Sequence, residues 1–121
     1  MFKAIKNIKR YWFSLTVLIF LAITFLSLHP LDNLPEAPGS DKTRHFISYA
    51  ALAYPTALRK PNRWLHIIIF FALYSGLIEL IQPLVNRYGE WMDFLANISG
   101  ILIGITLAFL TNKLEKKPLS Q

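Results

Sequence analysis

Two apolar runs, Trp64 to Gln82 and Phe94 to Thr111, are separated by a short link rich in polar residues. Each approaches or exceeds the roughly 18 residues that a helix rising 1.5 Å per residue needs to cross a hydrocarbon layer of ~30 Å. In chain order these are the third and fourth runs; the first, Tyr11 to Leu28, has the same character. The second, about Arg44 to Leu58, is shorter and more polar, but it must cross as well if the charged loops are to fall on consistent sides of a membrane. The composition agrees with this, because 54 % of the 121 residues are hydrophobic, only 17 % are charged, and the apolar residues are bunched into blocks. The expected fold is an all-α membrane protein: an antiparallel bundle of four transmembrane helices with both termini cytoplasmic.

The net charge of +6 is carried by particular segments. Lys3, Lys6, Lys9 and Arg10 precede the first run; Arg59, Lys60 and Arg63 lie between the second and third; Lys113, Lys116 and Lys117 follow the fourth. Short loops with this bias stay in the cytoplasm, and anionic lipid rather than nucleic acid is the partner that such charge implies. The other two loops carry Asp32, Glu36 and Asp41, and then Glu90 and Asp93, and are expected outside. The first run is too long for the usual signal-peptide core, and His29-Pro30-Leu31 is no small-residue cleavage site, so it reads as a retained anchor. Residues 1–10 form a basic amphipathic cytoplasmic segment, 11–112 the transmembrane domain and 113–121 a cytoplasmic tail. The expected location is the cytoplasmic membrane, crossed several times. Without cysteine the chain has neither disulfides nor thiolate chemistry.

Polar residues gather at the outer ends of the expected helices. His29 to Ser40 contains three prolines and a glycine and cannot be a regular helix. Beyond it, Asp41, His45 and Tyr49 recur at i, i+4 and i+8 and share one helical face. Glu79 and Gln82 close the third run just before Pro83, Arg87 lies in the link, and Asp93, Asn97, Gly100 and Gly104 form a single stripe on the fourth. The two glycines make a G-x-x-x-G step that admits a second helix at close range. The inner halves hold little that is polar besides Tyr54, Thr56 and His66. One polar cluster, at and just below the outer headgroup level, is therefore expected.

The run D-K-x-x-H-F at Asp41 to Phe46, then Tyr49, E-x-x-Q at Glu79 to Gln82, Arg87, and D-x-x-x-N-x-x-G-x-x-x-G from Asp93 to Gly104 resembles the VanZ family over roughly Tyr11 to Asn112. That family consists of small bacterial membrane proteins named for an accessory protein of teicoplanin resistance. The resemblance implies a membrane-embedded domain associated with the cell envelope and a connection with glycopeptide resistance, but it carries no settled chemistry.

Read from the residues, Glu79, Asp93, His45 and Asp41 are the catalytic candidates. Glu79 is a general acid or base, or else polar glue between helices; Asp93 is a second carboxylate for glycoside or phosphoester chemistry, or a helix cap. Asp41, one turn before His45, could orient it as a base. His45 could also join Glu79 and Asp93 around a metal, but no H-x-x-x-H or H-x-x-E spacing puts two strong ligands on one helix. Neither a metal nor a cofactor is therefore assigned. Lys42 and Arg87 are candidates for the phosphates of a lipid-linked substrate, with Gln82, Asn97 and Tyr49 lining the site, while Arg44 is better read as snorkelling. The expected function is to bind or modify a lipid or lipid-linked glycan at an outward-facing site, with membrane lipids as surroundings. The alternative is a non-catalytic structural or accessory subunit.

Overall fold

The computed structural model describes residues 2–28, 40–81 and 91–116, and every described element is helical. Among them are α1 (Phe2–Arg10), α2 (Trp12–Leu28), α3 (Ser40–Arg59), α4 (Trp64–Ile81) and α5 (Trp91–Lys116). Two stretches, Trp64–Ile81 and Met92–Glu115, are long and apolar enough to cross a membrane by themselves. A third qualifies if α1 and α2, which meet at a bend of 74°, are counted as one broken span.

α3 is the least apolar of the four longer helices and is nevertheless the centre of the fold. Leu52, Ala53, Thr56 and Ala57 have no exposed surface, and Tyr49 and Leu58 have almost none. α3 packs most extensively on α5, with α2 and α4 also against it. The large exposed side chains lie mainly on α2, α4 and α5: Phe13 and Leu18, Leu73 and Leu80, Leu102 and Leu110 among them. An outer surface of this kind belongs in lipid rather than in water. The modest hydropathy of α3 follows, since a helix sheathed by others has little need to be apolar towards lipid.

The contact between α3 and α5 is made of backbone. A Cβ on Gly100 would fall on the carbonyl oxygen of Phe46, and one on Gly104 would come within 2.5 Å of the carbonyl oxygen of Ala50. Phe46 opposite Gly100, Ala50 opposite Gly104 and Tyr54 hydrogen-bonded to Thr111 at 2.9 Å show the two helices running side by side in the same direction. α4 runs against α5, because Gly76 lies on Phe94 and the Trp64 ring meets that of Phe109. α2 and α4 share a direction through Phe20 beside Phe70 and the hydrogen bond between Thr24 and Tyr74.

The end of the fold that carries the basic turn has its own polar links. α3 stops at Lys60, whose φ of 52° is left-handed, and Pro61 then prevents any continuation of the helix. The Lys60 ammonium rests 4.3 Å from the centre of the Phe109 ring, and Asn112 Nδ2 donates to the Leu58 carbonyl, one of those that a helix end leaves without an internal partner. Thr16 and Thr56 lie 3.4 Å apart between their hydroxyls, and Lys9 pairs with Glu115 at 2.6 Å. α1 folds under this end, with Ile5 buried in a cluster with Ala57, Leu58 and Ala108. Lys6, Lys9, Arg10, Trp12 and Arg59 line a cleft of ≈ 400 Å³ there. The half that carries the basic turn is thus more polar than the sequence suggests; Thr16, Thr111, Asn112 and Glu115 join Tyr54 and Thr56.

Adding a methyl group at Gly100 or Gly104 must push α3 and α5 apart. Gly100→Ala and Gly104→Ala are each expected to destabilise the protein in detergent by at least about 2 kcal/mol, the range of overpacked cores. Gly76→Ala, whose added carbon would meet only the edge of the Phe94 ring at 3.2 Å, should cost less than about 1 kcal/mol. Thermal unfolding of the three purified variants compares them.

Candidate functional site

The glycine stripe of α5 also positions its polar residues. Once Gly100 and Gly104 are seated on Phe46 and Ala50, Asn97 and Asp93 are carried, one and two turns back, up to the level of His45 on α3. Glu79 reaches the same level from the last turns of α4. Three helices thus bring His45, Glu79, Asp93 and Asn97 together, all four buried, with Asp93 only 2 % exposed and Asn97 not at all.

His45 is the hub. Its Nδ1 lies 2.9 Å from Asn97 Oδ1. An amide oxygen only accepts, so Nδ1 carries a proton and donates it to this hydrogen bond. Nε2 is 3.8 Å from Asp93 Oδ2, and Nδ1 is 4.0 Å from Glu79 Oε1. Both separations exceed a direct hydrogen bond. One ligand-type atom from each of His45, Glu79 and Asp93 lies within 4.8 Å of the other two, so the arrangement can enclose a proton, a water molecule or a metal ion.

Two donors in this region have no acceptor among the described residues: the Tyr49 hydroxyl, one turn beyond His45, and Asn97 Nδ2. A buried donor left without a partner costs about 1–3 kcal/mol, so a fold that retains two of them beside converging carboxylates has the makings of a binding pocket. Tyr49 is close enough to Glu79 for the two groups to interact electrostatically.

Of the residues singled out from the sequence, His45, Tyr49, Glu79, Asp93 and Asn97 come together. Gln82 and Arg87 lie outside the described residues, as do the side chains of Asp41 and Lys42. The hydrogen bond that His45 Nδ1 donates is accepted by Asn97, a residue expected to be scaffold, and the orienting role expected of Asp41 falls on a side chain outside that description. Arg44 is exposed. The convergence of three possible metal ligands is invisible to spacing rules, which detect two ligands on one helix and not one on each of three.

The model of the VanZ/LLP1 family matches residues 1–112, which takes in α1 as well as the four longer helices. No curated protein and no solved structure matches the chain.

Removing each orphaned donor separates fold from function. Tyr49→Phe should leave thermal stability unchanged or slightly raised, because the hydroxyl it deletes has no described partner. Asn97→Ala breaks the bond to His45 and leaves the ring's donor buried, and should cost about 1–2 kcal/mol. Paired melting curves of the two variants in one detergent give the contrast.

Proposed function

We propose that this chain, which belongs to the VanZ/LLP1 family, is a four-span bacterial envelope protein that binds or modifies a lipid or lipid-linked glycan in an outward-facing pocket formed by His45, Glu79, Asp93 and Asn97. The observation that carries this reading is the burial of two carboxylates, an imidazole and an amide, drawn from three helices, at one end of an apolar bundle. Polar and ionisable groups are costly at membrane depth and mark sites more often than scaffolding.

The spans are α2, α3, α4 and α5, with α3 counted because it is 20 residues long and enclosed by the others. Lys6, Lys9, Arg10, Arg59 and Lys60 collect at the end away from the pocket, and the positive-inside rule assigns that end to the cytoplasm. The pocket then opens to the outer leaflet, where envelope lipids and lipid-linked sugars carry phosphates and hydroxyls. The residues supply what such a ligand needs: an oriented imidazole in His45, two acids in Glu79 and Asp93, and donors in Tyr49 and Asn97. An accessory role is the second reading, favoured by the His45 to Asn97 bond that ties α3 to α5.

Orientation is open to a direct check, since the chain has no native cysteine. Asn33→Cys should react with a membrane-impermeant thiol reagent in intact cells, and Asn62→Cys only after lysis. The opposite pattern would overturn the orientation.

Glu79→Gln and Asp93→Asn, nearly isosteric, should accumulate in the membrane at close to wild-type levels while failing to restore the glycopeptide susceptibility phenotype in cells lacking the chromosomal copy. Depletion of both variants from the membrane supports the accessory reading instead, and full function at normal abundance removes the pocket from consideration.

A further inference from the structure

Glu79, Asp93 and His45 bring two carboxylates and one imidazole together, one from each of three helices and all of them buried. We propose that His45, Glu79 and Asp93 bind one divalent metal ion of the Mn2+ or Zn2+ class, which equips the pocket to hold a phosphate-bearing ligand. This deepens the reading of the pocket given above and rests on it only for the ligand, since the ion itself can be measured alone.

The geometry admits the ion with little movement. Three points within 4.8 Å of one another can all be reached from one position no more than about 2.8 Å from each (4.8 divided by the square root of 3). Bonds of about 2.0–2.2 Å to nitrogen and carboxylate oxygen then need each side chain to close in by well under about 1 Å. The imidazole is already prepared. Asn97 Oδ1 accepts the hydrogen bond from His45 Nδ1–H, the kind of second-shell contact that orients a metal-binding histidine, and Nε2 lies 3.8 Å from Asp93 Oδ2. One nitrogen and two carboxylates, with no cysteine in the chain, select an ion that accepts both imidazole and oxygen donors. Three protein ligands leave a coordination position open, which distinguishes a site that takes an exogenous ligand from a closed structural one.

A second, independent observation points to what fills the open position. The Tyr49 hydroxyl and Asn97 Nδ2 are buried donors without an acceptor among the described residues, and Tyr49 lies within electrostatic reach of Glu79. A phosphate oxygen, or a water standing in for it, coordinated to the ion would give such donors an acceptor. The phosphate of a lipid headgroup and that of a lipid-linked glycan share this chemistry.

The experiment uses the full-length protein purified in detergent, stripped with a chelator and titrated with Mn2+ and with Zn2+. One ion per chain should bind, with a rise in the unfolding temperature, and pulsed electron paramagnetic resonance of the Mn2+ form should show coupling to a directly bound imidazole nitrogen. His45→Gln, Glu79→Gln and Asp93→Asn should each weaken binding at least tenfold, and Asn97→Ala by about 10–100-fold, the effect of losing a second-shell partner. Tyr54→Phe, at the opposite end, should bind like wild type. Because the nitrogen coupling is read on the wild-type protein, a variant that fails to fold does not obstruct the test. No saturable binding of either ion, or binding without nitrogen coupling, overturns the proposal. Inorganic phosphate and vesicles containing an anionic phospholipid, added in turn to the Mn2+ form, should each alter the Mn2+ signal if phosphate occupies the open position. A free-phosphate response alone identifies a soluble ligand, a vesicle response alone a headgroup, and neither response overturns the assignment of the ligand. Metal binding with fully functional Glu79→Gln and Asp93→Asn proteins would sink the pocket's role in the envelope and leave the ion site standing, whereas inactive, well-inserted variants of a protein that binds no ion would do the reverse.

Discussion

The close approach of two helix backbones at Gly100 and Gly104 governs the rest of the molecule. Without a Cβ at either position, α5 rests on the carbonyls of Phe46 and Ala50, and van der Waals contact between helices takes over from a hydrophobic drive that lipid does not supply. The same contact fixes the register between α3 and α5. Everything polar that the two helices share, from His45 and Asn97 at one end to Tyr54 and Thr111 at the other, depends on that register.

Burial of α3 follows from the same contact. Its small and hydroxylic residues, Ala53, Thr56 and Ala57, would serve poorly against lipid, and they are the ones enclosed on every side. The large aliphatic and aromatic residues are displaced to α2, α4 and α5, where they form the outer surface. Each helix therefore has the composition its neighbours require, and hydropathy alone ranks the central helix last among the four longer ones.

Helix boundaries were legible because they coincide with changes of composition: Trp64 and Ile81 bound an apolar run, and Arg59 with Pro61 ends another. The polar cluster was legible because helical spacing places Asp93, Asn97, Gly100 and Gly104 on one stripe, and the alternation of charged loops along the chain puts His45, Glu79 and Asp93 at the same end of their helices. What the sequence could not specify was which polar atoms touch. The bond from His45 to Asn97 joins residues 52 apart along the chain and depends on the side-chain geometry of two helices at once. The second polar zone, around Thr16, Thr111, Asn112 and Glu115, escaped notice because hydroxyls and amides at the margins of an apolar run look like ordinary boundary residues until a neighbouring helix is set beside them.

The enclosure of α3 also has a consequence in time. A helix whose stability comes from neighbours rather than from lipid gains little from entering a membrane early, and its chief neighbour, α5, is the last of the five helices to be synthesised. α3 must wait while α4 and the following link are made, held near its place by α1 and α2. The order of synthesis thus leaves the least apolar of the four longer helices without its main packing partner until the end, and the two glycines that end the wait lie on the segment made last.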